Sequence, residues 1–396
     1  MRALTLVRLA SPRYRALNVP PFVVGAVAAG AGIALYLPLG LVAIALWSLA
    51  EELVNKRTDR AEDAVNYPLR GELYDRVGDR AIRDWMVAAI GAYFVTLCAM
   101  WLLAGAPARV LLLWVILFIY SIGYSLGNRR RERPATGAGS WRRRNVAVRA
   151  FDLVAIASLL VLRAPAVAYL VLLCVRAIPS LVFGPRIKER RYDSLVIIAF
   201  AFPLFFLVGA RYSDVAFAGP VAITAALLLL GGLGAFAKDA TDLEGDQSIG
   251  HETAYLTMST GGKRSFRAHL VISLPYLLTL SLMLAGVVGT RYLVVFLAAP
   301  VGLVFSRVLL RASTKAEREV VRELGHLNQV AVMSVALWCY FPEPLTPVVC
   351  AGALVWYVVS TRWLHSEPGL MTTERIRLAA TLAGPRPQRR NPVPAR

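Results

Sequence analysis

The amino-acid sequence predicts an all-α fold: a polytopic integral membrane protein with about twelve transmembrane helices. Of its 396 residues, 57% are hydrophobic and the mean hydropathy is +0.56, well above the usual composition of a soluble protein. Apolar runs of about 17–22 residues recur along the chain, and each is long enough to cross a bilayer core of about 30 Å. The runs lack the polar–apolar alternation of membrane barrels, so helices are the form that satisfies their backbone hydrogen bonds in lipid.

The predicted helices follow one another at short intervals. The first comes after the basic segment MRALTLVRLASPRYRAL, which is similar to the start of a signal peptide. The further spans that follow it favour a retained membrane helix instead. The four cysteines lie in apolar runs and show no metal-ligand spacing, which indicates buried apolar side chains. The predicted spans lie near residues 20–36, 38–54, 82–104, 107–127, 148–163, 165–183, 193–210, 216–237, 267–288, 291–311, 325–342 and 345–362.

The connections between these spans are of two kinds that alternate along the chain. One kind is short and nearly uncharged, and the other is long and basic and includes both termini. Of the 44 Lys and Arg, only Arg109, Arg163, Arg211 and Arg291 lie beside the short connections, and Arg176 lies within a span. Because Lys and Arg stay on the cytoplasmic side, the long connections and both termini are predicted to be cytoplasmic. This asymmetry explains the net charge of +19 without a nucleic-acid partner.

The chain is predicted to form one transmembrane domain over residues 1–365, followed by a tail over residues 366–396. The tail is basic and ends in AGPRPQRRNPVPAR, which has no apolar period, so it is predicted to be disordered. The loop RRRERPATGAGSWRRR is predicted to lie against anionic lipid headgroups. Asp152 and Arg176 lie in or near apolar spans, where a charge is costly, so they are predicted to pair or to reach the interface.

Carboxylates are concentrated in two of the long loops, each of which begins where a predicted membrane helix ends. More than half of the 25 Asp and Glu lie in residues 51–79 and 239–252. In the first loop, Asn55, Asp59 and Asp63 are spaced by four residues. If the helix before them continues, all three lie on one face, about 6 Å apart along the axis.

The second loop contains KDATDLEGD, in which Asp239, Asp242 and Asp246 again fall on one helix face. Like charges at this spacing destabilise a helix by a few tenths of a kcal/mol per pair in water, and by more near a membrane. A hard divalent cation bound between the carboxylates replaces their repulsion by attraction. Carboxylate oxygens with an occasional amide oxygen suit Mg²⁺, which commonly binds protein ligands and a substrate phosphate together. Two such faces opposite each other predict Mg²⁺ ions bridged by a diphosphate. The alternative is two solvated surfaces whose acids balance nearby Arg and Lys.

This pair of motifs resembles the UbiA superfamily of intramembrane prenyltransferases. That family carries N-x-x-x-D-x-x-x-D after its second helix and then an NRPL-like turn; here Asn55, Asp59 and Asp63 precede NYPL. The second family motif, K-D-x-x-D-x-E-G-D, is matched by KDATDLEGD, and GHETAYLTMSTGGKR is similar to the stretch that follows it. The resemblance implies a UbiA-like helical bundle over roughly residues 10–345.

Three features depart from the family pattern. Lys56 stands where many members have Asp. The family usually has nine helices, and the surplus predicted here includes an extra pair between the two motifs. The family's Tyr and basic residue after the fourth helix match either YSIGYSLGNRRR, with Arg129, or VFGPRIKERR, with Arg186 and Lys188. The Pro-Arg-x-Lys pattern favours the second match.

The resemblance implies a Mg²⁺ centre surrounded by basic residues. The implied catalytic and metal-binding residues are Asp59, Asp63, Asp242 and Asp246, with Asn55 and Asp239 as further metal ligands. The implied diphosphate-binding residues are Arg186, Lys188, Lys238 and Lys263. Aromatic rings stabilise an allylic cation, and the candidates for that role, each also explained by packing, are Tyr67, Tyr93, Tyr120 and Tyr124.

The activity that the resemblance implies is transfer of a prenyl group from an isoprenyl diphosphate to an acceptor, most often an aromatic ring. Loss of the diphosphate leaves a short-lived cation, which the membrane interior shields from water. Two alternatives stay open. A terpene cyclase of the same type ionises the donor without an acceptor. A transporter has a similar helix number, but transporters place polar groups near the bilayer midplane, whereas these acids lie at its edge.

Overall fold

The computed structural model describes residues 2–10, 15–30, 33–58, 60, 68–128, 193–210, 219–243, 255, 262–363 and 373–384. Regular structure in these ranges is helical throughout, and they contain no strand. The predicted all-α class is therefore confirmed, and it is that of an integral membrane protein with several spans. The predicted spans 148–163 and 165–183, two of the six that lie between the carboxylate motifs, lie outside these ranges.

The helices of the described residues are numbered here in chain order. They are α1 (Arg2–Leu9), α2 (Val19–Ala28), α3 (Ile33–Thr58), α4 (Pro68–Val77), α5 (Asp79–Leu102), α6 (Ala108–Asn128), α7 (Asp193–Gly209), α8 (Pro220–Gly232), α9 (Gly262–Leu284), α10 (Ala299–Leu309), α11 (Lys315–Tyr340), α12 (Leu345–Trp363) and α13 (Thr373–Ala383). Three 3₁₀ helices join them: Arg15–Asn18 before α2, Leu233–Ala240 after α8, and Thr290–Ala298 before α10.

Five helical segments of the described ranges are long and apolar enough to cross a membrane. They are Leu35–Arg57, Asp79–Leu102, Pro220–Ala240, Phe266–Leu284 and Thr290–Leu309. Each of them overlaps a span that the hydropathy pattern predicts. The apolar pattern alone therefore locates these helices. A helix that crosses lipid needs apolar side chains on its outward face, because no water is there to solvate polar ones.

The first predicted span, 20–36, has the wrong bounds. Helix α2 ends at Ala28, and Gly30 follows with φ of 70°, a left-handed conformation that favours glycine. The next helix begins at Ile33, five residues before the predicted start at residue 38, and includes Pro38 in its second turn. At 10 residues, α2 is about 15 Å long and does not cross a bilayer by itself.

Helix α2 is held in place by close packing against α7. A side chain on Gly25 would collide with the backbone of Phe206 and Ala210, and one on Gly209 would collide with the backbone of Phe22. Each glycine thus lets the other helix approach, as small residues do at helix crossings in membranes. Tyr36, at the start of α3, donates a hydrogen bond to the carbonyl oxygen of Val208 and ties a third helix to this contact.

The predicted span 325–342 also begins too late. Helix α11 starts at Lys315, inside the segment predicted as a loop, because Thr314 and Glu317 form a capping box. Glu317 accepts hydrogen bonds from the backbone N–H groups of Ser313 and Thr314, at 2.7 and 2.9 Å. These bonds hold the pKa of Glu317 below its ordinary value. A helix that starts with charged turns is poorly marked by hydropathy alone.

The predicted disordered tail is wrong for residues 373–383, which form α13. This helix packs on α10 and α11, where Leu382 joins the core cluster of Phe305, Val320 and Val321. Arg311 donates hydrogen bonds to the carbonyl oxygens of Leu382 and Gly384 at the carboxyl end of α13, where a cation is favoured. Residues 373–383 carry an amphipathic pattern of their own, which the basic, proline-rich composition after them obscures.

Replacing Leu382 by Asp is expected to release α13. Leu382 is 9% exposed, whereas Ala380 on the same helix is exposed to solvent. Burying a leucine contributes about 1.5–3 kcal/mol, and 1.4 kcal/mol is a factor of about ten in an equilibrium. Tryptic cleavage after Arg375 and Arg377 should therefore accelerate at least about tenfold in Leu382→Asp. The matched control Ala380→Asp, three residues beyond the last cleavage site, should be cleaved like the wild type, and equal acceleration of both variants would contradict the docking.

Candidate functional site

The two helix ends that carry the carboxylate motifs lie at the same end of the helical bundle. Tyr36, in the first turn of α3, bonds to Val208 in the last turn of α7, and Trp47, further along α3, packs against Phe205, earlier in α7. Helix α3 therefore runs from the end of α7 towards its start. In α8, a side chain on Gly232 would lie 2.7 Å from the Cα of Ala199, in the first half of α7. The 3₁₀ helix that continues from Gly232 also contacts α7. The end of α3 and this 3₁₀ helix therefore share the end of the bundle at which α7 begins.

The second motif begins in the 3₁₀ helix Leu233–Ala240. The backbone N–H of Asp242 donates to the carbonyl oxygen of Asp239 at 3.3 Å, so the tight turn continues past residue 240. Residues three apart are aligned in this geometry, which places Asp239 and Asp242 on one edge. Asp239 is 7% exposed, and its carboxylate lies 3.4 Å from the ammonium of Lys238. Asp242 is half-buried, and Asp246 lies outside the described residues.

The first motif begins in the last turn of α3. Asn55 is half-buried, and its amide donates to Glu51 one turn earlier at 3.4 Å. Lys56, the departure from the family pattern, is buried and lies 3.8 Å from Glu52. Both pairs are four residues apart, the spacing at which helical side chains meet. Asp59, Asp63 and Tyr67 lie outside the described residues, so the structure does not position the rest of this motif.

Several charged pairs fix the end of α3 against α4 and α5. Arg57 forms a two-bond ion pair with Asp79, at 3.0 and 3.2 Å. The hydroxyl of Tyr74 donates to the same carboxylate at 2.6 Å. Burial and the Asp79 carboxylate raise the pKa of Tyr74 to about 12, so it remains a donor at physiological pH. Arg60 bonds to Asp75 and lies over the ring of Tyr74. Arg57 and Arg60, one on each side of residue 59 in the sequence, thereby anchor the start of the first motif to α4 and α5.

A buried polar face on α11 is the main feature that the sequence analysis missed. This face packs directly on the 3₁₀ helix of the second motif, and a side chain on Gly325 would lie 2.5 Å from the Cβ of Ala237. Gln329 donates to the carbonyl oxygen of Gly232 at 3.4 Å. The buried polar side chains of this face are Arg318, Arg322, Glu323, His326, Asn328 and Gln329. Arg318, Arg322 and His326 are spaced by four residues, and this spacing was the available signal in the sequence. The predicted start of the helix at residue 325 lies after the first two of them and therefore concealed it.

A chain of polar contacts runs from this face to the second motif. Arg322 donates to the hydroxyl of Thr241 at 3.1 Å. That hydroxyl lies 3.3 Å from the Asp242 carboxylate. On the other side, the guanidinium of Arg322 lies 3.5 Å from Glu323, which accepts a hydrogen bond from Tyr357 of α12. The second motif is therefore connected to the interior of the bundle through side chains of α11.

The remaining predicted site residues fall into three groups. Tyr93 is buried between α5 and α6, where its hydroxyl donates to the carbonyl oxygen of Trp114 at 2.8 Å and its ring stacks on Phe118. These contacts are those of a packing residue, the alternative explanation of this tyrosine. Lys263 lies in the first turn of α9, and Tyr120 and Tyr124 lie in α6. For these three the structure gives only the backbone. Arg186 and Lys188 lie outside the described residues.

The donors that the structure describes fit a hard cation. Asp239, Asp242 and Asn55 offer carboxylate and amide oxygens, the ligands that Mg²⁺ prefers. Within the residues that the structure describes, no group of three His, Cys, Asp or Glu side chains is close enough to hold a metal ion. Three of the six predicted ligands, Asp59, Asp63 and Asp246, lie outside those residues. The buried histidine of α11, His326, lies beside Tyr357 rather than in a cluster of metal ligands.

No protein-family model and no curated protein sequence matches the chain. A solved structure of digeranylgeranylglyceryl phosphate synthase, a protein of membranes, has a similar fold. The similarity covers 86% of this chain and 98% of that chain, with 14% sequence identity and a TM-score of 0.52. That protein is a UbiA-superfamily intramembrane prenyltransferase, so the fold that the resemblance implies is confirmed.

Proposed function

We propose that this protein is a Mg²⁺-dependent intramembrane prenyltransferase that ionises an isoprenyl diphosphate and transfers the prenyl group to an acceptor. The observation that carries the proposal is the position of the two carboxylate motifs. Both begin at helix ends on one end of the bundle, in a fold shared with a membrane prenyltransferase. The cytoplasmic side is proposed for this end, because the carboxylate motifs belong to long basic connections that the sequence predicts to be cytoplasmic.

In this proposal, Asp59, Asp63, Asp242 and Asp246 hold Mg²⁺, with Asn55 and Asp239 assisting. The metal would supply positive charge to the departing diphosphate, where negative charge develops. Lys238 lies against Asp239 at the second motif and contributes further positive charge, and Arg186, Lys188 and Lys263 are proposed for the same purpose. Behind them, the apolar interior excludes water from the allylic cation. The C–O bond to the diphosphate breaks, a new bond forms to the acceptor, and the acceptor loses a proton.

Two classes of acceptor are proposed. An aromatic ring is the first, because it is the usual acceptor in the family that the sequence resembles. A lipid alcohol that carries a glyceryl phosphate is the second, because the structural neighbour is named as a synthase of such a lipid. A cyclase that acts on the donor alone uses the same ionisation step, and the same experiment separates it from the transferases.

The test is a donor and acceptor screen on the purified full-length protein. Geranyl, farnesyl and geranylgeranyl diphosphate are each supplied with Mg²⁺, with 4-hydroxybenzoate, with a prenylglyceryl phosphate, or with no acceptor. Released diphosphate is measured, and products are identified by mass spectrometry. We expect release that requires both Mg²⁺ and an acceptor, together with a prenylated acceptor. A cyclic hydrocarbon or alcohol formed without acceptor would replace the transferase by a cyclase. Absence of diphosphate release under every condition would refute both enzymes and leave the transporter.

A further inference from the structure

We infer that the buried polar face of α11 positions the second carboxylate motif for its metal ion, with Arg322 acting on Asp242 through the hydroxyl of Thr241. This inference rests on the proposed function, because it concerns the metal that the motif would hold. It assigns a role to a helix that the carboxylate motifs do not include.

The geometry of Thr241 limits what its hydroxyl can do. Thr241 is 1% exposed, and Arg322 donates to its oxygen at 3.1 Å. A hydroxyl has one proton to donate and two lone pairs that accept. With Arg322 donating to it, the proton points to an acceptor, and the Asp242 carboxylate oxygen lies at 3.3 Å, beside the carbonyl oxygen of Lys238 at 3.4 Å. The proton is shared between these two acceptors, and the charged carboxylate of Asp242 is the stronger of them.

The position of Arg322 indicates more than a chance contact. Its side chain is 5% exposed, and a buried guanidinium is costly unless its charge is compensated. Compensation comes from Glu323 at 3.5 Å, and Glu323 in turn accepts from Tyr357. The chain Tyr357–Glu323–Arg322–Thr241–Asp242 therefore connects the guanidinium both to a buried carboxylate and to the motif. Groups behind metal ligands commonly act in this way, and their loss typically lowers metal affinity by about 10–100-fold.

Thr241→Val and Thr241→Ser form the decisive pair of variants. Valine keeps the shape of the side chain and removes the hydroxyl, whereas serine keeps the hydroxyl. Thr279→Val is the matched control, because Thr279 is equally buried and its hydroxyl donates within α9, to the carbonyl oxygen of Pro275 at 2.8 Å. Arg322→Lys and Arg322→Met test the hydrogen bond that Arg322 donates to the Thr241 hydroxyl.

Mn²⁺ is the probe, because its binding to the purified full-length protein is followed by electron paramagnetic resonance without any turnover. Inorganic diphosphate is present as a shared ligand. We expect Thr241→Val to weaken Mn²⁺ binding by about tenfold or more, and Thr241→Ser to stay near the wild type. Arg322→Met should weaken it at least as much, with Arg322→Lys in between. Where diphosphate release is measurable, the half-saturating Mg²⁺ concentration should rise in the same order, with little change in the KM for the donor.

The outcomes separate this inference from the proposed function. Equal Mn²⁺ affinity in Thr241→Val and Thr241→Ser would overturn the positioning role, even if the enzyme is active. A tenfold loss in Thr241→Val without diphosphate release in the wild type would support the positioning role and refute the proposed function. Absence of Mn²⁺ binding in the wild type would overturn both. A loss of affinity as large in Thr279→Val would show a general effect of packing, and it would also overturn the role of Thr241.

Discussion

Asp242→Asn is expected to reduce Mg²⁺-dependent diphosphate release by at least about 100-fold, while the protein still inserts and folds. Asparagine keeps the size of the side chain but removes the negative charge that a hard cation requires. Removing one preorganised electrostatic group typically costs a factor of about 10²–10³ in rate. The loss is measured as released diphosphate from a purified variant whose unfolding temperature matches the wild type. Asp59→Ala should have the same effect, since Asp59 is proposed to lie in the opposing motif.

Asp84→Asn is the control for this experiment. Asp84 lies in the second turn of α5, near the same end of the bundle, but it is exposed, and within the described residues it pairs with Arg80 and Arg83 of its own helix. Exposed pairs of this kind contribute little, so its removal should leave diphosphate release unchanged. Near-normal release from Asp242→Asn, with Asp84→Asn also normal, would refute the metal assignment of the second motif.

Gly325→Val is expected to destabilise the protein and to disturb the second motif at the same time. A Cβ at this position would lie 2.5 Å from the Cβ of Ala237 and 3.3 Å from the carbonyl oxygen of Gly234. Both neighbours belong to the 3₁₀ helix that leads into Asp239, so this helix has to move away from α11. Overpacking of this kind typically costs about 1–3 kcal/mol. We expect a lower unfolding temperature and a higher half-saturating Mg²⁺ concentration for diphosphate release.

Gly352→Val is the matched control for the packing prediction. Gly352 lies in α12, and no atom comes within 4 Å of the position that its Cβ would occupy. The same substitution there adds volume without a clash, so stability and Mg²⁺ dependence should stay close to the wild type. If Gly325→Val were as stable and as sensitive to Mg²⁺ as Gly352→Val, the close contact between α11 and the 3₁₀ helix would be wrong.

The hydropathy pattern predicted the fold class correctly because lipid imposes one requirement on every span. Backbone groups within the membrane have to bond inside their own helix, and apolar side chains have to face outward. Segments such as Asp79–Leu102 and Pro220–Ala240 are long and apolar enough to satisfy this rule. The rule says less about helix ends, and the predicted bounds of α2 and α11 were wrong for that reason.

Helices that are covered by protein are harder to recognise from sequence. Most of α11 is enclosed by other helices, so its inward side chains are free to be charged, and the mean hydropathy of the helix is low. Helix α13 was missed because its few apolar residues, such as Leu382, gain stability only when α10 and α11 are present to receive them. Helix α11 has a capping box and α13 has an amphipathic pattern, so a local signal was present in both. The helices that each of them packs against are distant in sequence.

The sequence by itself determined the membrane class, the two carboxylate motifs and their places at helix ends, because each of these depends on residues within a few turns of one another. The tertiary structure decided which end of the bundle the two helix ends share. It also decided which side chains stand behind the second motif. Arg322 and Thr241 are 81 residues apart, and no local period connects them. Their contact exists because α11 packs against the 3₁₀ helix, and helix packing depends on the shape of whole surfaces rather than on a motif.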